Sequence, residues 1–262
     1  MPELPDVESA RRSLARHAEG RRVARVVIPD REIVRNADAR TVDDALRGRP
    51  ILSPERIGKW LLCWTDEPGL LLHFGMTGEL RSSTDEPARH RWDRLILELD
   101  DGTEIRYRNM RRLGGVWLAR TRGEAAEIVG HLGPDALGID RDELLERLSR
   151  RRGGVKAALL DQMFLAGVGN LLADEILWRA RLHPRRRIET LDPAERSRLA
   201  RALRSVVRDW VERYEDVPGL RSWLVGVRGD PGATCPRCRT VLERVTAGGR
   251  TSWFCPSCQP AT

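Results

Sequence analysis

The sequence predicts an α+β protein with an N-terminal antiparallel β-sandwich domain that carries a leading helix, a helical domain and a C-terminal zinc-finger β-hairpin. Short apolar runs separated by turn signals fill the first half of the chain, whereas helical periodicity begins at about residue 122. Two CxxC motifs lie near the C-terminus. We therefore expect domains at 1–121, 122–217 and 218–262.

The first domain starts with an amphipathic helix. Val7, Ala10, Leu14 and Ala18 recur at helical spacing, and arginines occupy the other face. Later apolar runs predict strands at 23–28, 61–64, 70–74, 95–99, 104–107 and 114–118. The residues Asp-Asp-Gly between two of these runs are typical of a hairpin turn. The strands are therefore mostly antiparallel, in a sandwich or a barrel.

The second domain is predicted to be helical. Its expected helices are 141–151, 155–165, 171–181 and 193–214, and Asp192 is expected to cap the last of them. In the turn before the third helix, Gly167 can adopt a left-handed conformation and Asn170 can cap the helix that follows. Such a turn exposes backbone N–H groups that suit a phosphate, although an ordinary helical hairpin explains the residues equally well. The Gly/Pro-rich segment 218–234 is expected to be a linker.

The charge of the chain favours a polyanionic partner. Its 262 residues carry a formal charge of +7 and the isoelectric point is near 9.8, although an arginine-rich composition alone could produce both values. We expect an intracellular protein, because there is neither an apolar stretch of membrane-spanning length nor a signal-peptide pattern at the N-terminus.

Lysine is almost absent from this basic chain. Only Lys59 and Lys156 stand among 46 basic residues. A position that keeps lysine can need a compact ammonium or a titratable amine, which arginine does not supply. The alternative is that the two lysines are survivors of a compositional bias.

Four of the five cysteines predict a zinc site. They form the pairs Cys235-x2-Cys238 and Cys255-x2-Cys258, separated by 16 residues. This spacing is typical of a closed, structural site with four thiolate ligands, and the alternatives are two disulfides or a pair of redox motifs. The fifth, Cys63, lies in an apolar run and is expected to be an inert core thiol.

The N-terminal stretch "MPELPDVE" contains one proline more than a helix entry needs. Pro5 suits a first helical turn, but Pro2 and Glu3 are not explained in this way. If Met1 is removed, Pro2 becomes a secondary amine at the chain terminus and therefore a nucleophile.

Several motifs together resemble one protein family from residue 1 to about residue 259. They are "MPELPDVE", "RIGKWLL", "HFGMTGEL", "RNMRRLGG", "GVGN" and "GRTSWFC", in this order. They are similar to the motifs of the formamidopyrimidine-DNA glycosylase and endonuclease VIII family. The resemblance implies a helix-two-turn-helix domain, one structural Zn²⁺, damaged double-stranded DNA as the partner, a monomer, and a cytoplasmic location at the nucleoid.

The same resemblance implies a bifunctional DNA glycosylase and abasic-site lyase of base excision repair. The catalytic residues would be Pro2 as nucleophile, Glu3 as acid and base, Lys59 near the lesion phosphate, and Arg250 as a phosphate clamp. The expected DNA-binding residues are His73, Met76, His90, Arg111, Leu113, Lys156 and Asn170. Of these, Met76, Arg111 and Leu113 would fill the gap left by an extruded base. For His73 and His90, a purely local hydrogen bond is the alternative.

The chain departs from the family pattern at three points. Leu113 replaces an aromatic residue, Asp6 replaces a glutamate, and only 11 residues separate Trp223 from Cys235. In members that prefer 8-oxoguanine this last segment is longer and covers the oxidised purine, so the substrate range stays open between oxidised pyrimidines, ring-opened purines and abasic sites. The alternative function is a non-catalytic zinc-containing DNA-binding protein of the same fold; a zinc-ribbon interaction module is disfavoured, because the resemblance covers the whole chain.

Overall fold

The computed structural model describes residues 2–261, which divide into two compact units. The first unit contains residues 2 and 6–131, and the second contains residues 3–5 and 132–261. Among the described residues, no helix combines the length and the apolar character that a membrane crossing requires. The division into three domains that the sequence suggested stays a prediction.

The structure contains a helix or strand in each region where the sequence indicated one, and it adds elements at 39–46, 55–57, 78–82 and 122–129 that were not among the expected ranges. The helices are α1 Leu4–Ala18, α2 Ala39–Leu46, α3 Arg122–Val129, α4 Arg141–Arg150, α5 Val155–Leu160, α6 Asn170–Ala180 and α7 Pro193–Glu212. The strands are β1 Val23–Val27, β2 Glu55–Ile57, β3 Trp60–Trp64, β4 Gly69–His73, β5 Gly78–Ser82, β6 Asp93–Leu99, β7 Glu104–Asn109, β8 Gly115–Ala119, β9 Glu243–Ala247 and β10 Arg250–Phe254.

The first unit contains two antiparallel four-stranded sheets, with strand orders β1-β6-β7-β5 and β2-β3-β4-β8. The predicted hairpin turn is confirmed, since β6 and β7 pair and Gly102 has a φ of 84° between them. Alternate residues of both sheets and the apolar face of α1 form one buried cluster, which includes Val7, Leu14, Leu61, Leu72, Leu97 and Val116. The sandwich with a leading helix is therefore confirmed.

The second unit is helical, with the zinc-finger hairpin β9-β10 at its C-terminal end. The predicted Asp192 cap of α7 is confirmed, because its side chain accepts from Glu195 N at 2.7 Å while the Glu195 side chain accepts from Asp192 N at 3.0 Å. The prediction that α5 continues to residue 165 is wrong. Asp161 accepts from Met163 N at 3.0 Å, and Gln162 accepts from Gly167 N at 3.0 Å, so these side chains support a turn instead of a further helical turn.

Segment 218–234, expected to be a linker, consists mostly of turns and loops, and it is packed into the second unit. Trp223, Leu224 and Val227 are buried in the apolar clusters of the second unit. The backbone is also bonded, because Val225 N donates to the buried Glu175 carboxylate at 3.1 Å. Aromatic and aliphatic side chains among the glycines supply enough apolar area to fix this segment.

Candidate active site and metal centre

Glu3 lies at the N-terminus of α6 in the second unit. Its carboxylate accepts hydrogen bonds from three backbone N–H groups, those of Gly169 at 3.0 Å, Leu171 at 2.7 Å and Leu172 at 3.0 Å. The side chain is almost fully buried, and the next residue continues the attachment, since Leu4 N donates to Gly167 O at 3.0 Å. The carboxylate therefore caps a helix that begins more than 160 residues later in the sequence.

The glycines of "GVGN" are explained by this contact. A Cβ atom on Gly169 would lie 2.3 Å from Glu3 Cδ, and a Cβ atom on Gly167 would lie 2.6 Å from Leu4 Cδ1. The left-handed conformation predicted for Gly167 is confirmed by its φ of 101°. The expectation of N–H groups available to phosphate is wrong for Gly169, Leu171 and Leu172, because Glu3 accepts all three.

Asn170 was expected to cap α6, and this expectation is wrong. It is the first residue of the helix, and its Nδ2 atom donates to Thr251 O in β10 at 3.2 Å. Arg250, the preceding residue of β10, is exposed at the tip of the zinc hairpin. The tip packs closely on α5, because a Cβ atom on Gly248 would lie 3.1 Å from the backbone of Ala157. The second unit thus holds Asn170 beside the strand that carries Arg250.

Lys156 is fully buried in the same region. Its ammonium donates to Asp174 Oδ1 at 2.6 Å and to the Ser252 hydroxyl. Burial lowers the pKa of Lys156, and the charge of Asp174 opposes this shift. The ammonium has no exposed surface in this structure and binds other protein groups, and the DNA-binding role expected of Lys156 stays a prediction.

In the first unit, two loops carry the residues that are expected to fill the gap left in DNA by an extruded base. Met76, Arg111 and Leu113 are all exposed, Met76 to 39% and Leu113 to 52%. The loops are joined, because Arg111 N donates to Thr77 Oγ1 at 3.1 Å and a Cβ atom on Gly75 would lie 2.4 Å from Gly114 N. The structure therefore brings the three side chains onto one pair of adjoining loops, while their role on DNA stays a prediction.

Two residues that sequence reasoning did not single out support the second loop. Arg112 has a left-handed φ of 56°, and its guanidinium binds Asp30 at 2.7 Å. Arg35 donates to the backbone oxygens of Arg112 and Gly114. The only sequence signal was the density of arginine in "RNMRRLGG", which does not distinguish a DNA contact from a loop support.

His73 ends β4 beside this pair of loops. Its Nδ1 atom accepts from Gly75 N at 3.3 Å, and its ring lies 5.0 Å from that of Trp60. The pKa of His73 is lowered, first by burial and then by the positive charge of Lys59. Lys59 is half-buried in the turn between β2 and β3. The structure thus brings Lys59 and His73 together within the first unit.

His90 lies on the loop between β5 and β6. Its backbone N–H donates to Asp93 Oδ2 at 2.7 Å, and its Nδ1 atom accepts from Trp92 N at 3.2 Å. The buried Arg106 stabilises this loop, since its guanidinium donates to the carbonyl oxygens of residues 86, 87 and 88. The local hydrogen bonds favour a structural role for the His90 ring, and its contact with DNA stays a prediction.

The four cysteines of the CxxC motifs form one cluster. All five cysteines of the chain are free thiols, and the four Sγ atoms of Cys235, Cys238, Cys255 and Cys258 lie within 4.8 Å of one another. Sγ separations are 3.9 Å for Cys235–Cys258 and 3.4 Å for Cys238–Cys255. Tetrahedral zinc with bonds of about 2.3 Å needs separations of about 3.8 Å, so the cluster fits Zn²⁺. The disulfide alternative is wrong.

Backbone and ring donors surround the sulfur atoms. Arg237 N and Trp178 Nε1 point to Cys235 Sγ at 3.4 and 3.3 Å, and Cys258 N points to Cys255 Sγ at 3.4 Å. Such donors stabilise thiolate ligands. The fifth cysteine, Cys63, is a buried core residue, and burial raises its pKa to about 12. The expectation that it is inert agrees with this environment.

The chain is similar to known proteins over almost its whole length. It is 38% identical to the formamidopyrimidine-DNA glycosylase of Symbiobacterium thermophilum over 273 residues, covering 99% of this chain and 90% of the relative. The chain belongs to the formamidopyrimidine-DNA glycosylase family. The formamidopyrimidine-DNA glycosylase N-terminal domain matches residues 1–116, the H2TH domain of the same proteins matches 132–218, and the zinc finger found in FPG and IleRS matches 232–261.

Solved structures of the formamidopyrimidine-DNA glycosylase family agree with this fold. Two complexes of Lactococcus lactis Fpg have a TM-score of 0.86 and 26% identity, and each alignment covers 99% of this chain and 100% of the other. One complex contains N7-benzyl-Fapy-dG DNA and the other contains DNA with an oxidised pyrimidine. The resemblance to the family and the prediction of one structural zinc are therefore confirmed.

Proposed function

We propose that this member of the formamidopyrimidine-DNA glycosylase family removes oxidised bases from duplex DNA and cleaves the strand at the resulting abasic site, with Pro2 as nucleophile. The observation that carries the proposal is the position of Glu3. Its carboxylate is held by three N–H groups at the start of α6, and Pro2 precedes it directly. A buried carboxylate beside a terminal secondary amine suits proton transfer at a sugar ring.

The reaction begins with the unprotonated Pro2 nitrogen, which attacks C1′ of the damaged nucleotide. The bond between C1′ and the base breaks, the sugar ring opens, and an iminium forms between C1′ and the Pro2 nitrogen. The departing base and the ring oxygen each gain one proton. One of these protons comes from the Pro2 N–H group and the other from water, and we assign their transfer to Glu3.

Strand cleavage follows from the iminium. Its positive charge withdraws electrons from C2′, so that loss of a C2′ proton forms a C2′=C3′ double bond and breaks the C3′–O bond. Loss of the C4′ proton then drives a second elimination that breaks the C5′–O bond, and addition of water at C1′ breaks the bond to nitrogen and releases Pro2 as the free amine. This sequence requires removal of Met1, which lies outside the described residues.

Base extrusion is proposed to depend on Met76, Arg111 and Leu113. Removing a base from the stack costs a few kcal/mol and leaves a gap that side chains fill. All three side chains are exposed on adjoining loops, which is the arrangement that insertion requires. Leucine offers a smaller stacking surface than an aromatic ring, so the preference for the opposite base is expected to be weak.

Phosphate binding is proposed for Lys59, Arg250 and Asn170. Arg250 is exposed at the hairpin tip, and Asn170 is bonded to the adjacent residue of the same strand. Each cation that neutralises a phosphate releases counterions, so affinity should fall as salt rises. An affinity for duplex DNA that did not depend on salt would contradict this assignment.

The substrate range is proposed to include oxidised pyrimidines, ring-opened purines and abasic sites, with 8-oxoguanine as a poor substrate. Between Trp223 and Cys235 the chain is short, and Leu224, Val227 and Ala233 are buried. Only residues 229–232 form a continuous exposed stretch there. This segment is therefore too short to form a loop that covers an oxidised purine.

Borohydride trapping tests the proposal. The purified chain, shown by mass spectrometry to lack Met1, is incubated with duplexes that carry 8-oxoguanine, an oxidised pyrimidine or an abasic site. A covalent adduct that is absent in Pro2→Gly supports the mechanism, and the pattern among the three duplexes reports the substrate range. No adduct with any duplex would overturn it in favour of a non-catalytic DNA-binding protein.

The proposed substrate also implies a place of action. Repair of chromosomal DNA by a monomer would place the protein in the cytoplasm at the nucleoid. Fluorescence microscopy of a tagged chain tests this location, and a signal excluded from the nucleoid would contradict it.

A further inference from the structure

We propose that Asp174 is a positioning residue that sets the place of Arg250 by bonding strand β10 to helix α6. The inference rests on the proposed function, because it assumes that Arg250 binds DNA. It concerns a buried charge cluster, formed by Lys156, Asp174 and Arg228, that the proposed chemistry does not use.

Both oxygens of Asp174 are used. Oδ1 accepts from Lys156 Nζ at 2.6 Å, while Oδ2 accepts from Trp253 N at 3.1 Å and lies 3.0 Å from Arg228 Nη1. The Asp174 and Lys156 side chains have no exposed surface. A single carboxylate of α6 thus joins α5, β10 and the segment after α7.

Strand β10 is held at three successive residues. Thr251 O accepts from Asn170 Nδ2, the Ser252 hydroxyl contacts Lys156 Nζ, and Trp253 N donates to Asp174. β10 pairs only with β9 among the described strands, so its other edge has backbone groups to satisfy. Side chains of α5 and α6 satisfy that edge beginning one residue after Arg250, and this fixes the strand's position along α6.

The metal fixes the opposite end of the strand. Cys255 follows Phe254, the last residue of β10, and is one of the four zinc ligands. Zinc alone would leave the tip of the hairpin free to move, because Arg250 lies five residues before the ligand Cys255. A second attachment at residues 251–253 removes this freedom.

The chemistry of the cluster favours positioning over stability. A buried ion pair contributes little net stability, since desolvation of both charges offsets their attraction. Such a pair does require a defined geometry, because each charge is costly without its partners. Lysine also fits the position, since its compact ammonium reaches Asp174 Oδ1 and the Ser252 hydroxyl at one point.

A double-mutant cycle between Asp174→Asn and Arg250→Ala tests the proposal. The measured quantity is the affinity for a duplex that carries a tetrahydrofuran abasic-site analogue, so chemistry is not required. If Asp174 acts through Arg250, Asp174→Asn weakens binding roughly tenfold, and the double variant binds no more weakly than Arg250→Ala alone. The proposal would be overturned if the double variant showed the product of the two single losses of affinity, or if Asp174→Asn bound the duplex as tightly as the wild type.

Two control experiments separate a loss of stability from a loss of positioning. Val207→Ala removes buried volume from an apolar cluster of the second unit that contains no residue of β10, and its effect should multiply with that of Arg250→Ala. If Asp174→Asn does not fold, a variant that combines Lys156→Met with Asp174→Leu takes its place, because it removes both charges of the ion pair together. That variant should retain one zinc per chain and still show no further loss with Arg250→Ala; a full additional loss contradicts the proposal.

The two proposals fail in different ways. If the wild-type chain gives no borohydride adduct but the binding cycle is non-additive, the Pro2 mechanism is wrong and the role of Asp174 stands. If adducts form while the cycle is additive, the mechanism stands and Asp174 has no positioning role.

Discussion

Glu3 caps helix α6 from a distance of 168 residues along the chain. Leu171 N donates to Glu3 Oε1 at 2.7 Å, and the N–H groups of Gly169 and Leu172 bond the other oxygen. The residue that follows Pro2 is thereby fixed by a helix of the second unit. One carboxylate is therefore placed for two tasks, stabilising α6 and serving the proposed chemistry.

Glu3→Gln should separate these two tasks. The amide keeps one acceptor oxygen, so the free energy of unfolding should fall by about 1 kcal/mol, the usual value of a helix cap. Base excision should fall by roughly 100-fold or more, because an amide does not transfer protons. Urea unfolding and single-turnover excision measure the two effects, and an unchanged excision rate would remove Glu3 from the mechanism.

Gly169→Ala should be severe, because its Cβ would lie 2.3 Å from Glu3 Cδ. We expect destabilisation of about 2 kcal/mol and displacement of the Glu3 carboxylate. Gly138→Ala is the matched control, since its Cβ would meet only Asp135 O, at 4.0 Å. Thermal unfolding compares the two variants, and equal melting temperatures would show that the Glu3 contact does not require glycine.

Cys238→Ser should remove zinc from the chain. A hydroxyl is a poor replacement for a thiolate, so the metal content should fall from one atom per chain to a small fraction. The hairpin that carries Arg250 should then lose order, and the affinity for abasic-site duplex should fall. Metal analysis and binding are the measurements, and Cys63→Ser is the control because that cysteine lies outside the cluster. Full binding by a zinc-free variant would contradict the structural role.

Leu113→Ala should lower excision from duplex DNA by roughly tenfold, because a smaller side chain fills the gap beside an extruded base less well. Met110→Ala is the control, since Met110 is also an exposed apolar residue, with 43% of its surface exposed. Excision from single-stranded DNA should change little in either variant. If both variants lose the same activity on duplex DNA, Leu113 has no specific role as a wedge.

His73 should make stability fall in mild acid. Its folded-state pKa is lowered below 6.5 by burial and by Lys59, so the unfolded chain binds a proton more readily. Stability from this residue is full above pH 6.5 and is lost as pH falls through the folded-state pKa. In His73→Gln the decline between pH 7 and pH 5 should be shallower than in the wild type or in His131→Gln, which changes an exposed histidine. Equal slopes in urea unfolding would contradict this account.

Much of the fold follows from local patterns. Short apolar runs indicated six of the eight strands of the first unit, the Asp-Asp-Gly turn indicated a hairpin, and Asp192 indicated the start of α7. These features depend on neighbouring residues, so the sequence contains them directly. The end of α5 was misjudged because Asp161 and Gln162 bond the following turn, a choice that periodicity does not record.

The candidate site divides in the same way. The zinc ligands were predictable because the CxxC spacing already brings each pair of thiolates together. The places of Lys156 and Glu3 were not predictable. Each depends on residues far away in sequence, Lys156 on Asp174 and β10, and Glu3 on the first turn of α6. Contacts between residues far apart in sequence decided that Lys156 is buried in an ion pair and that the carboxylate of Glu3 caps a helix.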